Sequence, residues 1–120
     1  MNNDFTSFEL AIKLKEKGFP QHQCDYAYII EENHEDIERE YVSFIPDYLP
    51  TVATPTISQV LKWLRNTYNL HVETYPCGLG MWKFLVTNIT TLEERALCDK
   101  YTSSEQAEIA GISYVLDNLI

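Results

Sequence analysis

Residues 57–87 of the chain have the sequence ISQVLKWLRNTYNLHVETYPCGLGMWKFLVT. The first part of this segment predicts an amphipathic helix, because its apolar side chains fall within an arc of about 100° at ~3.6 residues per turn. Those side chains are Ile57, Val60, Leu61, Leu64 and Tyr68. The capping-box pair Thr56 and Gln59, directly after Pro55, marks the start of the helix, and Asn69 suits its C-terminal end.

The second part of this segment predicts a β-hairpin. Two strand-like runs, 70–75 and 81–87, flank a turn at 76–80 that contains Pro and Gly. Side chains alternate between the two faces along a strand, so every second residue of the later run shares one face. The side chains expected on that face are Trp82, Phe84 and Val86.

Toward the N-terminus, the chain repeats this order of a helix followed by a pair of strands. A stripe of apolar side chains predicts a helix over residues 5–17, and Gly18 suits its C-terminal end. Two runs rich in aromatic and β-branched residues, 26–30 and 41–45, predict strands. Residues 46–56 carry three prolines and are therefore expected to connect the elements without regular structure.

Toward the C-terminus, the pattern predicts a last helix over residues 104–118, with Ser103 and Gln106 as a capping box. Gly111 lies in the middle of this helix, where it would permit a close approach to a neighbouring element. Residues 90–102 are compatible with a further short helix followed by a loop.

Helices thus alternate with antiparallel strand pairs, and no βαβ crossover is indicated. We predict a single α+β domain over residues 1–120 in the order α-ββ-α-ββ-α. About three helices, with a short fourth one at 90–102, would pack on a mostly antiparallel sheet of about four strands. The face of the sheet without helices would be available to a partner or to a second copy of the chain.

The charge of the chain argues against several classes of function. Among its 120 residues, 9 Lys and Arg stand against 18 Asp and Glu, which gives a net charge of −9. Nucleic acids and anionic lipids require the opposite sign, so we expect neither as a partner. No apolar run reaches the ~18 residues of a membrane span. The first four residues lack the basic start and apolar stretch of a secretory signal.

The three cysteines are Cys24, Cys77 and Cys98. Their number is odd, their spacing is long and no C-x-x-C motif occurs, so neither a disulfide framework nor a zinc ribbon is indicated. We expect reduced thiols in a cytoplasmic protein.

The candidate interaction surface combines acids with tyrosines. The six acids of residues 31–40 lie between two predicted strands, where they would attract a basic protein surface. They are Glu31, Glu32, Glu35, Asp36, Glu38 and Glu40. The tyrosines are Tyr26, Tyr28 and Tyr41, a residue type well suited to interfaces. A solvated acidic loop and core aromatics explain the same residues, and both readings stay open.

These features favour a small acidic, non-enzymatic accessory protein that binds a protein partner and could form a homodimer through its sheet face. The alternative is a small hydrolase or metal-dependent enzyme. The residues considered for it are His22, Cys24, His34, Glu35, His71 and Cys77. Their spacings match no recurrent metal or nucleophile motif, so we expect no cofactor and assign no catalytic residue.

Three segments carry a resemblance to known sequences: FELAIKLKEKGFP (8–20), ATPTISQVLKWLR (53–65) followed by YNLHV (68–72), and YTSSEQAEIAGI (101–112). Together they resemble a group of short uncharacterised proteins carried by gut bacteria and their phages or mobile elements. The resemblance implies a source and an architecture, but no activity, cofactor or catalytic residue.

Overall fold

The computed structural model describes residues 5–30, 39–45 and 48–120. The chain divides into two compact units, Met1–Ile57 and Ser58–Ile120. The described residues form three α-helices and two three-stranded antiparallel sheets. The α+β class and the three main helices are therefore confirmed, whereas the strands form two sheets of three instead of one sheet of about four. The single domain over residues 1–120 stays a prediction.

The first unit packs one helix on one sheet. Its elements are α1 (Phe8–Glu16), β1 (Tyr26–Ile29), β2 (Arg39–Tyr41) and β3 (Thr51–Ala53). The strand order is β2-β1-β3, with both pairings antiparallel. Ser7 caps α1 by accepting a hydrogen bond from the N–H of Leu10 (3.2 Å), and Gly18 follows its end with φ +89°. The buried cluster contains Ala11, Tyr28 and Val52, with Phe8 and Ile12 packed against it.

Two predictions for the first unit are wrong in detail. The strand expected at 41–45 ends at Tyr41, because the backbone continues into a 3-10 turn, Val42–Phe44, closed by the Ile45 N–H on the Val42 carbonyl (3.2 Å). The proline-containing segment 46–56 holds β3, which pairs with the distant β1. Local propensity did not reveal β3, because non-local hydrogen bonds define a strand of only three residues.

The second unit is built around a long hairpin. Its elements are α2 (Ile57–Tyr68, which begins at the boundary), β4 (Leu70–Gly78), β5 (Met81–Asn88), β6 (Glu94–Ala96) and α3 (Ser104–Asn118). The strand order is β4-β5-β6, all antiparallel. Asn69 adopts the left-handed conformation (φ 58°) expected where α2 ends and β4 begins. Ser103 caps α3 by accepting from the Gln106 N–H at 3.1 Å, as predicted.

The core of the second unit lies between α3 and the β4–β5 hairpin. The predicted face of β5 is confirmed, since Phe84 and Val86 are buried and Trp82 is half-buried. Gly111 of α3 makes the predicted close approach. A Cβ there would lie 2.7 Å from Cγ1 of Val72 and 3.1 Å from Cγ of Phe84.

The short helix considered for residues 90–102 does not form. Asn88 organises this segment as a loop, because its side-chain oxygen accepts the N–H groups of Thr90 (2.9 Å) and Thr91 (3.0 Å). The strand β6 follows, and Tyr101 then pairs with Trp82 of β5 through two backbone hydrogen bonds of 2.8 Å. Among the described residues, no helix is long and apolar enough to cross a membrane.

Candidate interaction surface

Four aromatic rings follow one another across the first unit, and we call them the aromatic row. They are Phe5, Tyr26, Tyr41 and Phe44. Successive ring centroids are separated by 5.2, 5.5 and 5.7 Å, with interplanar angles of 71°, 81° and 56°. These distances lie within the ~4.5–7 Å range of favourable aromatic pairs, so the rings hold one another in place.

The strand pairing explains the position of these rings. Tyr26 of β1 and Tyr41 of β2 are directly opposite each other in the antiparallel register, so their side chains share one face. The 3-10 turn after Tyr41 brings Phe44 to the same row. At the other end, the guanidinium of Arg39 lies 4.1 Å from the ring centroid of Phe5, in a cation–π contact.

The outer end of the aromatic row faces solvent. Phe44 is 79% exposed and Tyr41 is 42% exposed. In the described part of the chain, β2 lies at an edge of its sheet. Contiguous exposed apolar surface often marks an interaction site.

The structure brings together only some residues of the predicted interaction surface. Tyr26 and Tyr41 are in contact, and Glu40 is exposed on β2 between Arg39 and Tyr41. Tyr28 is instead a core residue, 8% exposed, whose hydroxyl donates to the Thr6 carbonyl at 2.8 Å. Its position opposite Val52, on the face that α1 covers, explains why it is not part of a surface.

Five of the six predicted acids lie outside the described residues. They are Glu31, Glu32, Glu35, Asp36 and Glu38. In sequence they directly precede β2, which carries Glu40 and Tyr41.

The sequence analysis missed Phe44 as a surface residue. A strand over 41–45 would place it on the same face as Val42 without indicating its exposure. The Ile45–Pro46 step was the available signal, because the residue before a proline is restricted and proline is confined to strand edges.

On the other face of the first sheet lies an open hollow of about 240 Å³, which we call the Ala27 hollow. Its floor contains the small side chains of Ala27 and Ala53, and Gln21 fixes one wall by accepting the Ala53 N–H at 2.8 Å. The described residues that line it include no Asp, Glu, Lys or Arg. They are Gln21, His22, Ala27, Val42, Ile45, Leu49, Thr51 and Ala53.

Among the described residues of the alternative enzyme hypothesis, His71 and Cys77 both lie on β4, and His22 lines the Ala27 hollow. Cys24 is buried, and this burial, with a smaller effect from Asp25, raises the pKa of its thiol, which disfavours the nucleophilic thiolate. His71 Nε2 lies 3.9 Å from Glu73 Oε2 on the exposed side of β4. Cys77 lies within β4 rather than in the turn, because β4 extends to Gly78.

His34 and Glu35 lie outside the described residues. Among residues 5–30, 39–45 and 48–120, no three His, Cys, Asp or Glu side chains are grouped so that they could hold a metal ion.

Comparison with known proteins adds no relative, since no protein-family model, curated protein or solved structure matches the chain.

Proposed function

We propose that this protein is a small acidic accessory protein that acts by binding another protein through its aromatic row. The observation that carries the proposal is the exposure of Phe44 and Tyr41 at the end of a continuous set of ring contacts. The expected partner presents a basic surface with an apolar centre.

The aromatic side chains would supply the affinity. Removing a phenylalanine side chain from water contributes about 2–3 kcal/mol of free energy. Because Phe44 is 79% exposed, most of this free energy would be gained when a partner covers its ring. Tyr41 contacts the Phe44 ring and is itself held by Tyr26, which reduces the conformational entropy lost on binding. Aromatic anchors of this kind often dominate the energetics of interfaces.

The acids would supply the selectivity. Six acids within residues 31–40 precede or belong to β2, in a chain of net charge −9. Negative charge of this kind repels nucleic acid and attracts the basic surfaces of proteins that bind nucleic acid. The proposed action is to occupy such a basic site on a host or phage factor in the cytoplasm, which agrees with the mobile-element source implied by the resemblance.

The test is affinity capture from a host lysate with four matched baits: wild type, Phe44→Ser, the chain with the six acids of 31–40 changed to Gln or Asn, and Leu92→Asn. Leu92 is an exposed leucine of the second unit, 73% exposed, so its variant controls for the loss of an apolar side chain elsewhere. A specific partner should be recovered with wild type and Leu92→Asn, and at least ~10-fold less with the other two baits.

Salt provides the second readout. Attraction between the acids and a basic partner is screened as the Debye length falls from ~10 Å at 0.1 M to ~3 Å at 1 M salt. The captured complex should therefore weaken as salt rises. Equal recovery of the partner by wild type and Phe44→Ser would contradict the proposal.

A further inference from the structure

The inner end of the aromatic row already holds an arginine of the chain itself. The guanidinium of Arg39 lies 4.1 Å from the centroid of the Phe5 ring, inside the ~6 Å limit of a favourable cation–π contact. Arg39 and Tyr41 are two residues apart on β2, so their side chains share the face of the sheet on which the row lies. A guanidinium is therefore a group that this row binds within its own fold.

The outer end of the row presents an open ring of the same kind. The planes of Tyr41 and Phe44 are inclined at 56°, with centroids 5.7 Å apart, so Tyr41 supports the Phe44 ring from one side. Because Phe44 is 79% exposed, the remaining surface of its ring is open to solvent. The face of an aromatic ring carries a partial negative charge, so such a surface attracts cations as well as apolar groups.

Two exposed carboxylates flank the tyrosines of the row. Asp25 directly precedes Tyr26, and Glu40 directly precedes Tyr41. Consecutive Cα atoms are ~3.8 Å apart, so each charge lies within roughly one Debye length of the row at 0.1 M salt. An uncharged side chain that covered the rings would leave these charges uncompensated, whereas a cation on the rings would be attracted by them.

An arginine side chain meets both conditions better than a lysine side chain. The guanidinium is planar and more weakly hydrated than an ammonium group, and it stacks on aromatic faces while its N–H groups stay available to carboxylates. The lysine ammonium is a compact, strongly hydrated charge that loses more of its hydration when it approaches a ring. The rings and the acids together therefore favour arginine.

We propose that the outer end of the aromatic row, Tyr41 and Phe44, binds an arginine side chain of the partner protein. The site is the surface of the proposed function, on which this proposal rests, and arginine is the residue type at the centre of the partner's basic surface. The weakly hydrated face of its guanidinium supplies the apolar centre of that surface. The contact between Arg39 and Phe5 is its intramolecular counterpart.

The first test titrates the full chain with two acetylated and amidated peptides, GRGRG and GKGKG, which carry the same charge. Ring-proton chemical shifts of Tyr41 and Phe44, followed by nuclear magnetic resonance, report binding at the site. The arginine peptide should bind about two- to fivefold more tightly than the lysine peptide, the effect expected of an exposed cation–π contact.

Phe44→Leu separates the aromatic ring from its apolar area. Leucine keeps an apolar side chain but has no ring, so the two peptides should bind this variant equally. The matched control is Tyr48→Leu, because Tyr48 is 84% exposed and is not part of the row. This control should keep the preference for arginine. Circular dichroism verifies the fold of each variant.

A double variant, Asp25→Asn with Glu40→Gln, isolates the contribution of the acids. Removing the two charges should weaken both peptides to the same extent, because arginine and lysine carry the same charge. The ratio of the two dissociation constants should therefore stay at its wild-type value.

Three outcomes would overturn the proposal. They are no binding of the arginine peptide up to ~20 mM, equal affinities of wild type for the two peptides, and a preference that survives Phe44→Leu or disappears in either control. Failure here and failure of the proposed function are distinguishable in the lysate capture. If Phe44→Leu recovers as much partner as wild type while Phe44→Ser does not, the surface binds its partner without an arginine on the ring. If Phe44→Ser also matches wild type, the proposed function fails.

Discussion

The two units have similar architectures but are stabilised by different kinds of interaction. Each places a helix on a three-stranded antiparallel sheet, but the strands of the first have three or four residues and those of its counterpart reach nine. In the first unit, hydrogen bonds from buried side chains join separate segments, as between Tyr28 and Thr6. In the second unit, close packing dominates, as where Gly111 meets Val72 and Phe84. The first unit should therefore be sensitive to polar changes and the second to volume.

The largest effect is expected from Gly111→Val in the second unit. The added Cβ would lie 2.7 Å from Val72 Cγ1 and 3.1 Å from the buried ring of Phe84, so α3 or the hairpin must shift. Overpacking of this kind costs about 2–3 kcal/mol. Urea denaturation measures the loss in free energy of unfolding.

The control for this variant is Ile109→Val in the same helix. Ile109 is exposed, and its substitution should change the free energy of unfolding by less than about 0.5 kcal/mol. A loss below that level for Gly111→Val would show that the second unit is less closely packed than the comparison requires.

The next effect is expected from Tyr28→Phe in the first unit. The change removes the hydroxyl that donates to the Thr6 carbonyl at 2.8 Å in a buried site, without altering the ring. We expect a loss of about 1–2 kcal/mol, because the carbonyl loses a buried donor. Tyr48→Phe removes a hydroxyl from an 84% exposed ring and should have no measurable effect by the same denaturation.

For two buried threonines of the first unit, the same substitution is expected to change stability in opposite directions. Thr54 and Thr6 are both 1% exposed. Thr54 Oγ1 forms no hydrogen bond within the described residues, whereas Thr6 Oγ1 donates to the Pro55 carbonyl at 3.1 Å. Thr54→Val should therefore stabilise the chain by about 1 kcal/mol, and Thr6→Val should destabilise it by a similar amount. Thermal denaturation of the two variants should show opposite shifts.

The smallest effect is expected from Glu108→Gln on α3. Partial burial, with a smaller effect from Glu105, raises the pKa of the Glu108 carboxyl. A raised pKa means that the folded chain holds this proton more tightly, so wild type loses stability as pH rises through the pKa of Glu108. Glu108→Gln should therefore be more stable than wild type at pH 7 and indistinguishable from it at pH 3.

Glu105→Gln should reproduce part of this pH-dependent gain, because it removes the neighbouring charge. Denaturation curves of the three proteins between pH 3 and pH 7 test both statements. A gain that persists at pH 3 would attribute the effect to helix propensity instead of ionisation.

The second unit was predicted better than the first, because most of its elements are determined by residues that are close together in the sequence. The stripe of α2, the left-handed Asn69 and the buried face of β5 all follow from neighbours in the chain. Three features of this unit were not predicted: the loop held by Asn88, which a side chain organises, the short strand β6 after it, and the extension of β4 to Gly78.

In the first unit, β3 exists through its pairing with the remote β1, and periodicity cannot detect a three-residue strand between prolines. The candidate surface was also only partly predictable, because it too depends on contacts between remote parts of the chain. Residue type grouped Tyr26, Tyr28 and Tyr41 as candidates for an interface, but the depth at which Tyr28 lies depends on where α1 packs. The exposure of Phe44 depends on the turn that ends β2.

Trp63 of α2 and Trp82 of β5 are the two tryptophans of the chain, and both belong to Ser58–Ile120. Indole fluorescence is therefore an optical signal of the second unit alone, while the first unit contributes to the spectrum through tyrosine. Far-ultraviolet circular dichroism senses both. If the two signals change at the same urea concentration, the chain unfolds in one cooperative step. If they separate, the fluorescence midpoint assigns each transition to its unit without any added label.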